Sequence, residues 1–286
     1  MADNTLRDLD PRLTPARPDL ADIALQGRVS AARFVAGVAR RVAVPVAPLR
    51  RRPAGDAPLE TEALFGEAVT VFEDDAEGWC WVQLDADGYV GYLPGDALTA
   101  PGPAPTHKVT ALRTFVFPGP DIKLPPREAL CLGSRVAVRE TKGRFALTAR
   151  GAIFAGHLAT LDAPPETDFV EVAGRFLGTP YLWGGRSALG IDCSGLVQAA
   201  LAACGIAAPR DSDMQEKALG RPLSLDAPLA RGDLLFWPGH VAIAEAPDVL
   251  LHANAHAMAV AREPLRPALD RIAAAGSPLR SLRRLP

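Results

Sequence analysis

From Leu196 onward, Leu196, Val197, Ala199, Ala200, Leu201 and Ala203 form an apolar, helix-favouring run that Gly205 closes, which predicts a helix with Cys193 in its first turn. Further on, Val241 to Ala244 and Val249 to Leu251 are short apolar runs that read as strands, the first introduced by His240 and the second ended by His252. Upstream the pattern repeats. Leu64-Phe65-Gly66-Glu67-Ala68-Val69-Thr70-Val71 recurs as Cys131-Leu132-Gly133-Ser134-Arg135-Val136-Ala137-Val138, and an aromatic strand follows each copy, Trp79 to Leu84 and then Phe145 to Thr148. The two copies close alike, on Gly88-Tyr89-Val90-Gly91-Tyr92-Leu93-Pro94 and Gly151-Ala152-Ile153-Phe154-Ala155-Gly156-His157-Leu158. This repetition predicts two small all-β units of roughly 60 residues each. Between Leu20 and Ala36, after a Pro-rich start, the chain reads as a helix.

The expected organisation is an N-terminal arm over 1–40, a first β unit over 41–101, a second over 107–161 and an α+β module over 167–286. Linkers rich in proline and small residues fall at Pro101 to Thr106 and Asp162 to Thr167. A chain of 286 residues with 48% hydrophobic content can bury several modest cores, and a net charge of -2 gives no electrostatic footprint for nucleic acid. No stretch approaches the roughly 20 apolar residues of a membrane span. The first residues lack the order of a secretory signal, so the expectation is a cytoplasmic protein with no membrane partner. Four cysteines agree with a reducing compartment. Cys193 and Cys204 would lie about 16 Å apart along one helix, beyond disulfide reach, and Cys80 and Cys131 fall in strand-like runs.

A cysteine in the first turn of a helix meets unpaired backbone N–H groups and the positive end of the dipole, which favour thiolate over thiol. The polar neighbours Asp192 and Ser194, with Gly195, argue that Cys193 is not a core residue. A thiol nucleophile needs a proton acceptor that can later act as an acid, and three of the five histidines, His240, His252 and His256, follow Cys193. Two neighbouring strands would present His240 and His252 together, with Asn254 or His256 as the orienting group if the register differs. Histidines four apart also suit zinc when they share a helix face, but Pro247 and the strand-like Val249 to Leu251 oppose a helix there, so no metal and no cofactor is expected. Trp183 is expected to pack beneath its glycine loop and Trp237 to border the cleft.

In order along the chain, Tyr181-Leu182-Trp183-Gly184-Gly185, Asp192-Cys193-Ser194-Gly195-Leu196-Val197, Pro209-Arg210-Asp211-Ser212-Asp213-Met214-Gln215, Gly232-Asp233-Leu234-Leu235-Phe236 and Gly239-His240-Val241-Ala242-Ile243 resemble the successive signatures of NlpC/P60 cysteine peptidases. The two β units resemble bacterial SH3 domains, the first more clearly. The resemblance implies a multidomain chain: two small all-β SH3-like barrels followed by an α+β, papain-like NlpC/P60 domain. It implies Cys193 as nucleophile, His240 as general base and acid, His252 as the group that orients His240, and Tyr181 beside the oxyanion. It further implies substrate contacts from Asp192, Ser194 and Ser212 and, from the first SH3-like unit, Glu67 and Tyr89. The implied activity is hydrolysis of the γ-D-glutamyl bond to an L-diamino acid, diaminopimelate or lysine, in a small muropeptide with a free N-terminal L-alanine, as in murein recycling. A muropeptide sensor, or an acyltransferase or amidase on the same scaffold, is the alternative.

Overall fold

Val46–Arg50, Val90–Pro94 and Arg113–Phe117 in the N-terminal half bury every second residue, the pattern of strands with one face on a core. Ala47 and Leu49, Val69 and Val71, then Cys80, Val82 and Leu84 converge with Tyr89 and Leu93 on one cluster. The computed structural model describes residues 9–286, and the chain divides into two units, Met1–Leu161 and Asp162–Pro286. In the first unit a seven-stranded antiparallel sheet runs in the order Leu59–Leu64, Val46–Arg50, Val90–Pro94, Trp79–Leu84, Ala68–Asp74, Val38–Val42, Leu98–Thr99. A second β unit follows, with sheets of five strands (Glu128–Cys131, Arg113–Phe117, Ala152–Phe154, Phe145–Leu147, Glu140–Lys142) and three strands (Arg135–Val136, His107–Val109, Leu158–Thr160) around Val109, Val116, Leu130, Val136 and Ile153.

The sequence repeat marks the same turn in both units. Gly66 and Gly133 take positive φ (+81° and +90°), and the following amide closes each turn, Glu67 N–H onto Leu64 O and Ser134 N–H onto Cys131 O, both at 3.0 Å. The helix expected over Leu20 to Ala36 does not form. Leu20–Asp22 and Arg33–Val35 pair as parallel strands around a single 3₁₀ turn, Ile23–Leu25. The reason lies in what the segment packs on: Leu20, fully buried, joins Phe72 and Trp81 on the outer face of the first sheet, while Arg17 and Arg33 both bond the Glu73 carboxylate. Burial of a few large side chains against a preformed sheet outweighs the weak local preference for helix. The first sheet also starts earlier than the expected boundary at 41, because Val38–Val42 is one of its strands.

In the second unit, six antiparallel strands run in the order Arg221–Leu223, Ser281–Arg284, Leu234–Trp237, His240–Ala246, Val249–Asn254, Ala259–Pro264. Helix α1 (Phe169–Gly174) is capped by the Asp168 carboxylate, which accepts from the N–H groups of Val170 and Glu171. Helix α2 (Cys193–Ala203) lies against the His240–Ala246 and Val249–Asn254 strands. Helix α3 (Ser212–Ala218) follows, and α4 (Leu265–Ala274) covers the sheet face formed by Leu235, Trp237, Ala242, Ala244 and Leu250. Helices on the sheet explain why Leu234–Trp237 and Val249–Asn254 are buried almost without interruption instead of alternating. Among the described residues, no helix is long and apolar enough to cross a membrane.

Candidate active site

The start of α2 is built by Asp192. Its backbone is extended (φ -97°, ψ -179°), and its carboxylate accepts the Gly195 N–H at 2.7 Å and the Gly184 N–H at 2.8 Å, tying the helix start to the glycine loop. Glycine is required at the contact, since a Cβ on Gly195 would stand 2.3 Å from Gly185 O. Beneath this turn lies Arg210, whose side chain is 1% exposed. Its guanidinium grips the Asp192 carboxylate through two bonds of 2.7 and 3.0 Å, and it also donates to Ser194 Oγ at 3.0 Å and Gly185 O at 3.2 Å. From α3, Gln215 donates to Ser194 O and Pro209 O, both at 2.9 Å. Asp192 and Ser194 thus spend their polar atoms on the turn that carries Cys193, and both are buried. Both residues therefore support the turn that carries the nucleophile.

Cys193 itself is 6% exposed, so the expectation that its polar neighbours keep it out of the core is not met. Burial pushes the thiol up to about 12 and Asp192 adds to that, while the backbone N–H groups of Val241 and Ser194 and the Arg210 charge pull the other way. The helix-start donors are present, but burial outweighs them and raises the thiol, opposite in direction to the lowering that the helix start alone predicts. The Val241 amide places the sulfur beside the His240–Val241 peptide.

His240 Nε2 lies 2.9 Å from His252 Nδ1, and His252 Nε2 lies 2.9 Å from Glu263 Oε2. Burial, then the charges of His252 and Arg271, lower His240 to about 3. His252 is lowered as well, chiefly by burial, although Glu263 opposes the shift. Burial, and then Cys193 and Asp192, raise the Tyr181 hydroxyl above its ordinary range, so it stays protonated and able to donate. Trp237 is 2% exposed with its ring 5.5 Å from that of His240, a wall behind the imidazole. Trp183, expected beneath the loop, is instead 66% exposed.

Ser212 opens α3 and is partly exposed. Glu67 and Tyr89 belong to the N-terminal unit. Glu67 is buried and its carboxylate folds back to accept the Leu64 N–H at 2.9 Å, so it closes its own turn. Tyr89 is buried too, with its hydroxyl 3.3 Å from Glu60 Oε2. Each side chain therefore has a place within the first β unit. Glu263 and Arg271 carry no sequence signal of their own, because they reach His252 only through strand pairing and a returning helix. Arg210 lay within a recognised motif, but its role needed the fold.

Two family profiles match the chain: one described as the bacterial dipeptidyl-peptidase SH3 domain over residues 49–98, the other the NlpC/P60 family over residues 178–269. A γ-D-glutamyl-L-lysine dipeptidyl-peptidase of Bacillus subtilis (strain 168) is 32% identical over 197 residues, covering 63% of this chain and 64% of the relative. Dipeptidyl-peptidase 6 of Lysinibacillus sphaericus is 41% identical over 85 residues, 30% of this chain and 31% of the relative. The chain thus spans less than two thirds of the length of either. The crystal structure of an NlpC/P60 family protein from Bacillus cereus ATCC 10987 superposes with a TM-score of 0.73 at 23% identity, covering 87% of this chain and all of that one, and so shares its fold. The chain combines a bacterial SH3 domain in its N-terminal half with a C-terminal NlpC/P60 domain.

Proposed function

We propose that the chain is a cysteine peptidase that hydrolyses the bond between γ-D-glutamate and an L-diamino acid in small peptidoglycan-derived peptides bearing a free N-terminal L-alanine, releasing the dipeptide in murein recycling. The observation that carries this reading is the buried thiol of Cys193 at the start of α2, whose sulfur takes the backbone N–H of Val241, the residue after His240, with His240 itself closed on His252 at 2.9 Å. The thiol and the imidazole are both neutral at rest, so proton transfer accompanies attack. As Cys193 Sγ bonds to the carbonyl carbon, its proton passes to His240. The carbonyl oxygen, now anionic, takes the Cys193 N–H, which has no partner within the helix, and the Tyr181 hydroxyl. Collapse expels the diamino acid's amine with the proton from His240 and leaves a thioester. Water, giving its proton to His240, hydrolyses that thioester. The substrate class draws its support from the names of the similar dipeptidyl-peptidases and from the description of the matching SH3 profile.

The test is to incubate the chain with L-Ala-γ-D-Glu-L-Lys and its diaminopimelate counterpart and follow products by mass spectrometry. Release of L-Ala-D-Glu from at least one of them is expected, and N-acetylation of the alanine should slow it by about tenfold or more, the worth of one charge-assisted contact. If neither peptide is cut, the reading fails. The pH profile carries a sign of its own. Catalysis needs His240 neutral, a form present above its pKa and lost as pH falls through it. With His240 lowered to about 3, kcat/KM at pH 5.5 should stay within about twofold of its value at pH 7, whereas an ordinary imidazole near 6.5 would have lost most of its base form. A midpoint near pH 6.5 would contradict the neutral resting pair.

A further inference from the structure

We propose that Glu263, held by Arg271, is a positioning residue that sets the protonation pattern of the two histidines, leaving His240 Nδ1 as the free proton acceptor. This rests on the reading of His240 as the base. The geometry begins with strand register. Glu263 pairs with Leu250 and Ala261 with His252 across neighbouring antiparallel strands, so Glu263 and His252 share a face as a diagonal pair, within reach of long side chains. From α4, which covers that face, Arg271 Nη2 comes to 2.6 Å from Glu263 Oε2, the same oxygen that lies 2.9 Å from His252 Nε2. The His252 side chain is fully buried and that of Glu263 is 16% exposed, so water competes little for these contacts.

Hydrogen-bond valence does the rest. The Arg271 guanidinium only donates, and beside it the Glu263 carboxyl is held ionised, below the usual range despite burial, with His252 contributing most of that effect. An ionised carboxylate only accepts. His252 Nε2 must therefore carry a hydrogen, and neutral His252 is left with a lone pair on Nδ1. That lone pair faces His240 Nε2, which must then be the donor, and a neutral His240 has its own lone pair on Nδ1. When His240 Nδ1 takes the thiol proton, every other hydrogen in the array stays where it was: Nε2–H still donates to His252, and His252 still donates to Glu263. Arg271 has a second effect. A buried carboxylate alone would favour His252 as imidazolium, whose Nδ1–H would point at His240 Nε2 and force the hydrogen of His240 onto Nδ1, abolishing the acceptor. Burial chiefly, and the guanidinium charge in addition, offset that pull and hold His252 below the usual imidazole range.

The test is long-range ¹H–¹⁵N correlation of the imidazoles in the full chain labelled with ¹⁵N-histidine, alongside peptide-hydrolysis kinetics, for wild type, Glu263→Gln and Glu263→Leu. Wild type should show His240 and His252 both neutral and both protonated at Nε2 at pH 7. Glutamine can still accept through its carbonyl, so Glu263→Gln should keep both tautomers and stay within about tenfold of wild-type kcat. Glu263→Leu removes the acceptor and should populate Nδ1–H at His252, lowering kcat by about 100-fold with KM changed less than about threefold, the scale of a lost general base. Should the leucine variant fail to fold, the wild-type and glutamine spectra decide. His252 protonated at Nδ1 in wild type, or a leucine variant with unchanged tautomers and kcat, overturns the proposal. The predicted spectra from a chain that cuts no peptide would confirm the protonation pattern and overturn the hydrolase reading alone.

Discussion

Replacing Cys193 with alanine is expected to lower kcat/KM for the γ-D-glutamyl peptide by about 10⁴-fold or more, the usual consequence of deleting a covalent nucleophile. Cys193→Ser should fare little better. A hydroxyl is harder to deprotonate than a thiol, and the available base is His240, whose buried ring at about 3 is a weak one. Peptide binding should survive both changes, because the contacts that hold the turn belong to Asp192, Arg210 and Gln215 and not to the sulfur. Losing one buried sulfur costs about 1 kcal/mol of stability, too little to unfold the domain. The measurement is product formation by mass spectrometry together with peptide titration of the inactive variants by calorimetry. Alanine-variant activity above about 1% of wild type would sink the covalent mechanism. Unmeasurable binding by a folded variant would instead indict the substrate. None of the other cysteines offers a substitute: Cys80 is pushed up to about 11 by burial inside the first β unit, Cys131 is buried in the second, and Cys204 caps the far end of α2.

What the sequence revealed, and what it did not, follows from the range of the forces involved. Helix α2 was legible because its signals are local: an apolar run, a polar residue before it and Gly205 after it, which takes φ +73°. The His240 and His252 strands were legible for the same reason, and the placement of His252 in a strand with His256 in the turn beyond it also removes the helical spacing a zinc pair would need. The repeated turn at Gly66 and Gly133 was visible as a repeat, but its cause, a left-handed glycine in both copies, needed the backbone. Failures came where a distant partner decides. Leu20 to Ala36 has some local preference for helix, yet it is drawn out against Phe72 and Trp81, far along the chain. A helix start is a local feature that favours the Cys193 thiolate, whereas the burial that pushes the thiol up is a property of the whole packed domain and carries no local signal. Arg210, Glu263 and Arg271 act through residues 18, 11 and 8 positions away in sequence, and no periodicity announces such partners.

Arg210→Ala is expected to destabilise the C-terminal domain by about 3–5 kcal/mol, the cost of breaking a buried pair and stranding its partner charge. In a domain of this size that is a fall in melting temperature on the order of 10 °C. The Asp192 carboxylate would keep its two backbone donors, Gly184 and Gly195, but lose both guanidinium bonds in a site where the residue is 7% exposed. Asp192→Asn should cost a similar amount for the opposite reason, leaving a buried arginine without its anion. Because each single change strands the other group, the double variant Asp192→Asn/Arg210→Met should cost less than the two singles added, by about 1–3 kcal/mol of coupling. Urea unfolding of the four proteins checks this. An Arg210→Ala loss below about 1 kcal/mol, or strict additivity, would mean that the pair does not hold the turn. Activity should separate the variants further. Asp192 raises the Cys193 thiol and Arg210 lowers it. Removing Arg210 alone therefore leaves the nucleophile facing an uncompensated anion and harder to deprotonate, so kcat should fall more in Arg210→Ala than in the double variant, where that anion has also gone. An ion pair that only stiffened the loop would give the same order for stability, but it would not make the less perturbed of the two sequences the slower enzyme.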